Sequence, residues 1–198
     1  MRIVVIGATG TIGSAVVATL GSHVIIAAGR QRAQQRVDLS NPGSIREMYR
    51  AVGRVDAVVC TAGEAAFAPL SELTVDDFQL SLSSKLMGQV NLVRSGLDQL
   101  ADGGSFTLTS GVLARLPSPG SAAVSLVNAG LEGFVRAAAL EMPRRIRINI
   151  VSPGWVAETL KAMGRDPAEG TPAAVVARAY RESVEGSGNG SVIEPSGS

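Results

Sequence analysis

Strand and helix signals alternate along the 198 residues, and this predicts an α/β fold: a single domain, residues 1–198, built on a doubly wound parallel sheet of about seven strands with helices on both faces. Three observations carry that expectation. An aliphatic run, Arg2-Ile3-Val4-Val5-Ile6, leads straight into Gly7-Ala8-Thr9-Gly10-Thr11-Ile12-Gly13. Short apolar runs of the same kind recur, each stopped by Gly, Ser or Pro. Stretches of helical length separate them.

Composition narrows the function classes. With 45% hydrophobic and 18% charged residues, the chain is globular rather than disordered. Its net charge is +1 and no Lys/Arg cluster is interleaved with aromatics, so no nucleic-acid partner is expected. The lone Cys60 excludes an internal disulfide, and the lone His23 excludes a multi-histidine metal centre. No metal is expected. The first apolar run is only a strand long and ends in Gly, unlike a signal peptide. No apolar run has the length of a bilayer span. A cytoplasmic protein without membrane association is expected.

The first run, almost wholly apolar, reads as a strand buried on both sheet faces. Gly7, Gly10 and Gly13 then let the backbone turn tightly and approach a ligand, and a helix follows over Ser14 to Leu20. Free N–H groups and the positive end of that helix suit a pyrophosphate, so this Rossmann-type turn reads as a dinucleotide site. His23 to Ala28 is the second strand, with His23 merely opening it. Arg30 and Arg32 follow, with no carboxylate until Asp38. An acidic residue here suits NAD and an arginine suits the extra phosphate of NADP, so NADP(H) is expected. The alternative is a pair of solvated surface arginines.

Gln35 to Leu39 is a third strand. Asn41 and Pro42 start a helix that runs to Val52. Val55 to Cys60 is a strand stopped by Thr61-Ala62-Gly63, with Cys60 an inert core thiol. Ala65 to Leu73 is loop or short helix. Thr74 caps a long helix to Leu100, with Asp76 and Asp77 in its first turn. Asp102-Gly103-Gly104 ends it before the strand Ser105 to Thr109. A helix from Ser121 to Met142, a strand from Ile146 to Val151, a helix from Pro172 to Glu185 and a short strand from Ser191 to Glu194 complete the pattern. The tail from Gly186 to Ser198 is rich in Gly and Ser. Right-handed crossovers place Gly7, Arg30, Asp38, Gly63, Ser110 and Pro153 at strand carboxyl ends, along one crevice.

Four segments resemble the short-chain dehydrogenase/reductase family: residues 7–13, Thr61-Ala62-Gly63, Leu108-Thr109-Ser110 and Arg147-Ile148-Asn149-Ile150-Val151-Ser152-Pro153-Gly154. The stretch from Ala129 to Glu141 is similar to that family's catalytic helix. The resemblance implies hydride transfer between a nicotinamide and a small carbonyl or alcohol. It implies that Thr9, Gly10, Thr11 and Ile12 cradle the pyrophosphate and that Asp38 and Leu39 contact the adenine. Ala62 and Gly63 would run beside the adenosine ribose. Pro153, Gly154 and Val156 would bracket the carboxamide. Trp155 either lines the nicotinamide pocket or covers the core. A homo-dimer or homo-tetramer through helices 74–100 and 121–142 is also implied, as is a shortened substrate-covering segment near 160–170.

The chain departs from that family at the reacting centre. The family's tyrosine position holds Val124, and the lysine position one turn on holds Asn128. The asparagine position of the preceding helix holds Lys85, while Ser110 matches the family's serine. This marks an atypical member lacking the catalytic tyrosine. Lys85 is then either a solvated lysine beside a decayed site, or the proton donor reaching the same spot from the opposite wall, with Ser110 and Asn128 orienting the substrate. Three functions stay open: an oxidoreductase with a non-standard proton relay, a non-catalytic NADP(H)-binding sensor or regulator, and a purely structural oligomer that lost the cofactor, against which the intact glycine turn argues.

Overall fold

The computed structural model describes residues 1–195; the end of the Gly- and Ser-rich tail, 196–198, lies outside them. Its strands are β1 (Arg2–Ile6), β2 (Val24–Gly29), β3 (Gln35–Arg36), β4 (Val55–Cys60), β5 (Leu100–Thr109), β6 (Arg147–Val151) and β7 (Val192–Ile193). They form one seven-stranded sheet in the order β3-β2-β1-β4-β5-β6-β7, with every paired neighbour parallel. The chain winds outward from β1 to β3, crosses back, and winds the other way from β4. The topological switch therefore falls between β1 and β4, where such sheets hold ligands.

The apolar strands are explained by burial on both faces. Val4 and Ile6 pack into one core with α2 (Pro42–Val52), α4 (Met87–Gly96) and α5 (Ala122–Ala138). Ile3 and Val5 point the other way, into a core shared with α1 (Thr11–Thr19) and α7 (Ala173–Glu185). Local signals set the helix starts. Asn41 caps α2 by accepting from the Gly43 and Ser44 amides at 2.8 and 3.3 Å. Thr74 and Asp77 form a reciprocal capping box at α3 (Val75–Ser81).

Several boundaries differ from expectation. The helix expected over 74–100 is not continuous: α3 passes into a π-helical segment, Leu82–Leu86, before α4 resumes and stops at Gly96. A side chain at Gly96 would collide with the buried ring of Tyr49, lying 2.6 Å from its Cζ. Strand β5 begins at Leu100, earlier than the expected Ser105. Leu100 pairs with Val55, the register then shifts, and pairing resumes at Ser105 with Ala57. The intervening bulge turns at Gly103 (φ +74°), so Asp102-Gly103-Gly104 punctuates a strand rather than a helix.

At the sheet edge β3 keeps only Gln35 and Arg36, because Val37 and Leu39 leave the ladder to bury their side chains in the core. Helix α1 starts at Thr11, inside the glycine turn, rather than at Ser14. Helix α5 ends at Ala138, short of Met142. A helix not foreseen, α6 (Ala157–Ala162), runs into the segment near 160–170 that was expected to be shortened. His23 lies outside β2, and its Nε2 is 3.0 Å from Glu185, at the edge of the sheet opposite the strand carboxyl ends. His23 thus precedes the strand it was expected to open, and it pairs with a residue at the end of α7. Among the described residues, no helix is long and apolar enough to cross a membrane.

Candidate functional site

The site begins at the glycine turn. Gly7 holds φ +80°, and a Cβ there would lie 2.8 Å from Thr61 Oγ1. A Cβ on Gly13 would lie 2.6 Å from the carbonyl carbon of Gly7. Gly7 and Gly13 thus close the turn on itself, and the Gly10 amide seals it by donating to the Gly7 carbonyl at 2.9 Å. Gly10 is the N-cap of α1 and supplies no side-chain cap, and the first turn carries no acidic residue. The leading N–H groups of α1, among them those of Thr11 and Ile12, remain free for an anion. Thr61 Oγ1 donates to the Ile6 carbonyl at 2.9 Å and ties the ends of β1 and β4 together across the switch.

Beyond β1 and β2 lies a cavity of about 130 Å³. Gly7, Thr9, Arg30, Asp38, Leu39, Ala62 and Gly63 are among the residues that line it. The Asp38 carboxylate accepts from the Ser40 hydroxyl at 2.7 Å and the Ser40 amide at 3.0 Å. Those bonds, with a smaller contribution from Arg30, hold Asp38 below the usual carboxylate range. Sequence reasoning missed Glu64. Its carboxylate pairs with the Arg30 guanidinium, and both lie at the mouth of this cavity. Arg30 is therefore not the free cation the sequence suggested. The signal was present, since Glu64 directly follows Thr61-Ala62-Gly63, but nothing in the sequence placed it opposite Arg30.

On the other side of the turn a second cavity, of about 310 Å³, brings together residues far apart in the chain. Ile12 lines it from the glycine turn, Ser110 from the end of β5, Lys85 from the π-helical segment and Asn128 from α5. Pro153, Gly154 and Val156 line it from beyond β6. Trp155 lines it too, in edge contact with Phe67 (centroids 6.2 Å apart), with the Arg165 guanidinium 5.1 Å from its ring centre. Trp155 therefore faces a cavity rather than a core.

Lys85 is placed by its local fold. Gly63 (φ +139°) lies so close that a Cβ there would meet Lys85 Cα at 3.0 Å. The Lys85 Nζ donates to the Ser110 carbonyl at 3.4 Å. Burial pushes its ammonium down from 10.5 to about 8, against a small opposing effect of Cys60. Cys60 itself is fully buried, and burial pushes its thiol up to about 12, so it is inert as expected.

Ser110 Oγ donates to Glu132 Oε1 at 3.1 Å, and Ser152 Oγ donates to the same oxygen at 3.2 Å. Glu132 is 3% exposed, and its Oε2 faces Arg115 Nε at 3.7 Å and Arg136 at 3.8 Å. Sequence reasoning missed this carboxylate, although it lies one helical turn beyond Asn128. Asn128 is 2% exposed. Its Nδ2 donates to the Gly111 carbonyl at 3.5 Å, and its Oδ1 has no hydrogen-bond partner among the described residues. Val124 lines the cavity one turn earlier. Both tyrosines lie in the cores. Tyr49 donates to the Leu92 carbonyl at 2.9 Å, and Tyr180 meets Thr109 Oγ1 at 2.6 Å on the opposite sheet face. Burial pushes both phenols up.

Comparison with known proteins gives a consistent picture. A family model described as enoyl-(acyl carrier protein) reductase matches residues 16–185. The solved structure of the protein lin1944 from Listeria innocua is 44% identical, with a TM-score of 0.94 and 98% of each chain covered. A solved small-chain dehydrogenase in complex with NADPH is 27% identical, with a TM-score of 0.86, covering 98% of this chain and 95% of that one. Hydroxynaphthalene reductase arp2 from Aspergillus fumigatus is 33% identical over 139 residues, which is 68% of this chain and 51% of that protein. The match thus spans about half the length of that curated relative.

Proposed function

We infer the function from one premise: this chain belongs to the short-chain dehydrogenase/reductase family. We propose that it is an NADP(H)-dependent oxidoreductase acting on a small carbonyl or alcohol, with a proton relay that uses lysine where the family uses tyrosine. One observation carries the reading. Ile12 of the glycine turn shares a cavity with Lys85, Ser110 and Asn128, beside a helix N-terminus left without a cap.

The residues present fit a nicotinamide dinucleotide. Thr9, Gly10, Thr11, Ile12 and Gly13 would hold the pyrophosphate through backbone amides. Gly7, Asp38, Leu39, Ala62 and Gly63 would line the adenosine, and Arg30 would meet the 2′-phosphate once Glu64 yields it. Pro153, Gly154 and Val156 would bracket the carboxamide. When bound, the nicotinamide gives or takes the hydride. Lys85 holds the proton: its ammonium donates to a substrate oxygen in reduction, and its amine accepts from a hydroxyl in oxidation. A pKa near 8 suits both tasks. Ser110 and Asn128 orient the substrate, and Phe67, Leu113 and Trp155 supply apolar surface for its body.

A second reading is a non-catalytic NADP(H)-binding regulator, and Val124 favours it, because that position holds a proton donor in the family. Under either reading the chain is a cytoplasmic homo-dimer or homo-tetramer. The exposed Leu80, Met87 and Leu126, on the stretches 74–100 and 121–142, support that assembly. The deciding experiment titrates NADPH and NADH while following energy transfer from Trp155, the chain's single tryptophan, to the reduced nicotinamide. Saturable transfer with NADPH, followed by NADPH oxidation with members of a carbonyl panel and its loss in Lys85→Met, supports the enzyme. Transfer with no turnover on any carbonyl supports the regulator. No transfer with either nucleotide ends both.

A further inference from the structure

Of the 18 lysines and arginines in the chain, only Lys85 and Lys161 are lysines. Lys161 lies exposed on α6, whereas Lys85 lines the larger cavity. An arginine at 85 could donate to the Ser110 carbonyl as Lys85 does at 3.4 Å, but a guanidinium stays protonated. What a lysine adds to this wall is a lone pair. The surroundings make that lone pair available. No carboxylate lines the cavity, and Glu132, behind Ser110, is turned to Arg115 and Arg136. Much of the lining is apolar, with Phe67, Val112, Leu113 and Trp155 in it. The lysine stem is held at its root, since a Cβ on Gly63 would lie 3.2 Å from Lys85 Cβ and 3.1 Å from its Cγ. Burial pushes the ammonium down to about 8, so about a tenth of it is unprotonated at pH 7. The Cys60 thiol, pushed up to about 12, does not line the cavity, which leaves the amine as the strongest nucleophile there.

We propose that Lys85 is a covalent capture site, which forms a reversible imine with small uncharged aldehydes carrying a single ring or a branched apolar body. This activity goes beyond the proposed function: it shares the cavity but needs no nucleotide, and it uses the amine where the relay uses the ammonium. The Nζ lone pair bonds to the carbonyl carbon. The C=O π pair moves to oxygen, which takes up the proton that the nitrogen releases. The carbinolamine nitrogen then expels the hydroxyl, which takes one proton from solvent and leaves as water. Loss of the remaining N–H proton gives the imine. A C=N bond thus replaces the C=O bond, one water is released, and nothing is oxidised or reduced. The cavity selects the ligand. An aldehyde hydrogen leaves room for attack between walls where a second carbon substituent would crowd it. The volume of about 310 Å³ takes one ring readily. A charged body is disfavoured, because Lys85 is the sole ionisable side chain of the lining and is spent at the carbonyl end. Arg165, outside the lining, is engaged with Glu169 and the Trp155 ring.

The test is reductive trapping. The bare protein is equilibrated with benzaldehyde at pH 7 and quenched with borohydride, which fixes an imine as a benzylamine, and the label is located by peptide mass spectrometry. The exposed Lys161 is the internal reference. Label on Lys85 should exceed label on Lys161 by at least about tenfold, because each unit by which burial lowers an amine's pKa raises its unprotonated fraction about tenfold. In guanidinium chloride the two lysines should label alike, since the difference belongs to the fold. Label on Lys85 no greater than on Lys161 in the native protein overturns the inference, and so does an excess that persists in guanidinium chloride. With 4-carboxybenzaldehyde the excess on Lys85 should fall to about threefold or less; an undiminished excess overturns the assignment to uncharged aldehydes. The same preparation, titrated with NADPH and NADH, separates this inference from the proposed function. Excess label on Lys85 in protein that binds neither nucleotide upholds the capture site and removes the oxidoreductase reading. Lys85-dependent NADPH turnover without excess label on Lys85 upholds the relay and overturns the capture site.

Discussion

Replacing Asn128 by leucine should stabilise the free protein. In the free chain Asn128 Oδ1 is buried without a partner. Such an atom destabilises the fold by about 1–3 kcal/mol relative to an apolar group of the same shape. Leucine has nearly the shape of asparagine, removes the orphan, and is the better helix former by a few tenths of a kcal/mol. It also deletes the bond from Nδ2 to the Gly111 carbonyl. At 3.5 Å that bond is at the limit of hydrogen-bonding distance, so its loss offsets only part of the gain. The net expectation is about 1–2 kcal/mol of added stability, or a rise in Tm of roughly 2–8 °C for a domain of this size. Scanning calorimetry of wild type and Asn128→Leu without nucleotide measures it. A variant as stable as the wild type, or less so, would mean that Oδ1 carries no burden in the free protein, and the case for an unmet acceptor would fail with it.

Other perturbations read other parts of the site. Lys85→Met should be more stable than the wild type at pH 7, because the folded state then no longer buries an ammonium. Since the folded pKa of about 8 lies below the ordinary 10.5, the unfolded chain holds the proton longer, and wild-type stability rises between those values. The advantage of Lys85→Met should therefore shrink as pH climbs from 8 toward 10.5, which urea denaturation at spaced pH values will show; a constant difference refutes the buried cation. Arg30→Ala should lower NADPH affinity by about tenfold and leave NADH unchanged, whereas Glu64→Ala should raise NADPH affinity several-fold by releasing the guanidinium. Equal changes for both nucleotides would show that Arg30 does not read the 2′-phosphate. Gly13→Ala sets a Cβ against the Gly7 backbone and should destabilise by about 1–3 kcal/mol while abolishing nucleotide binding; normal binding would remove the turn from the site.

What the sequence discloses divides along physical lines. Strands β1, β4 and β6 are legible because burial on both faces leaves predominantly apolar runs, and the Pro, Asn and Thr signals at the starts of α2 and α3 act within one turn of the chain. The ligand edge follows, because right-handed crossovers put every strand end on the same side. Bulged and edge elements are hidden. Leu100 reads as the end of a helix because its strand character depends on pairing with Val55, far back in the chain. Val37 and Leu39 read as strand because their burial is real, though it is achieved off the ladder. The same distinction holds in the site. Ser110 and the glycine turn announce themselves by local pattern, while Glu64 and Glu132 become meaningful only when folding sets them beside Arg30 and Ser110.

The choice between a decayed site and a rebuilt one turns on where the unfavourable groups lie. An unpartnered Asn128 oxygen, a buried Glu132 carboxylate and a half-buried Lys85 ammonium each destabilise the free fold, and each lies at the same cavity or behind its wall. A wall released from function has no reason to keep them, since apolar replacements at such positions are neutral or stabilising and readily tolerated. Val124 by itself fits loss of chemistry. The π-helical segment does not, for it places Lys85 against Gly63, where the φ of +139° and the absence of a side chain make room for it, and brings the Nζ to the Ser110 carbonyl. Local departures from regular helix of this kind concentrate at working sites. The strained glycine and the costly polar groups thus converge on the cavity that holds Lys85 and Ser110, as the proposed lysine relay requires.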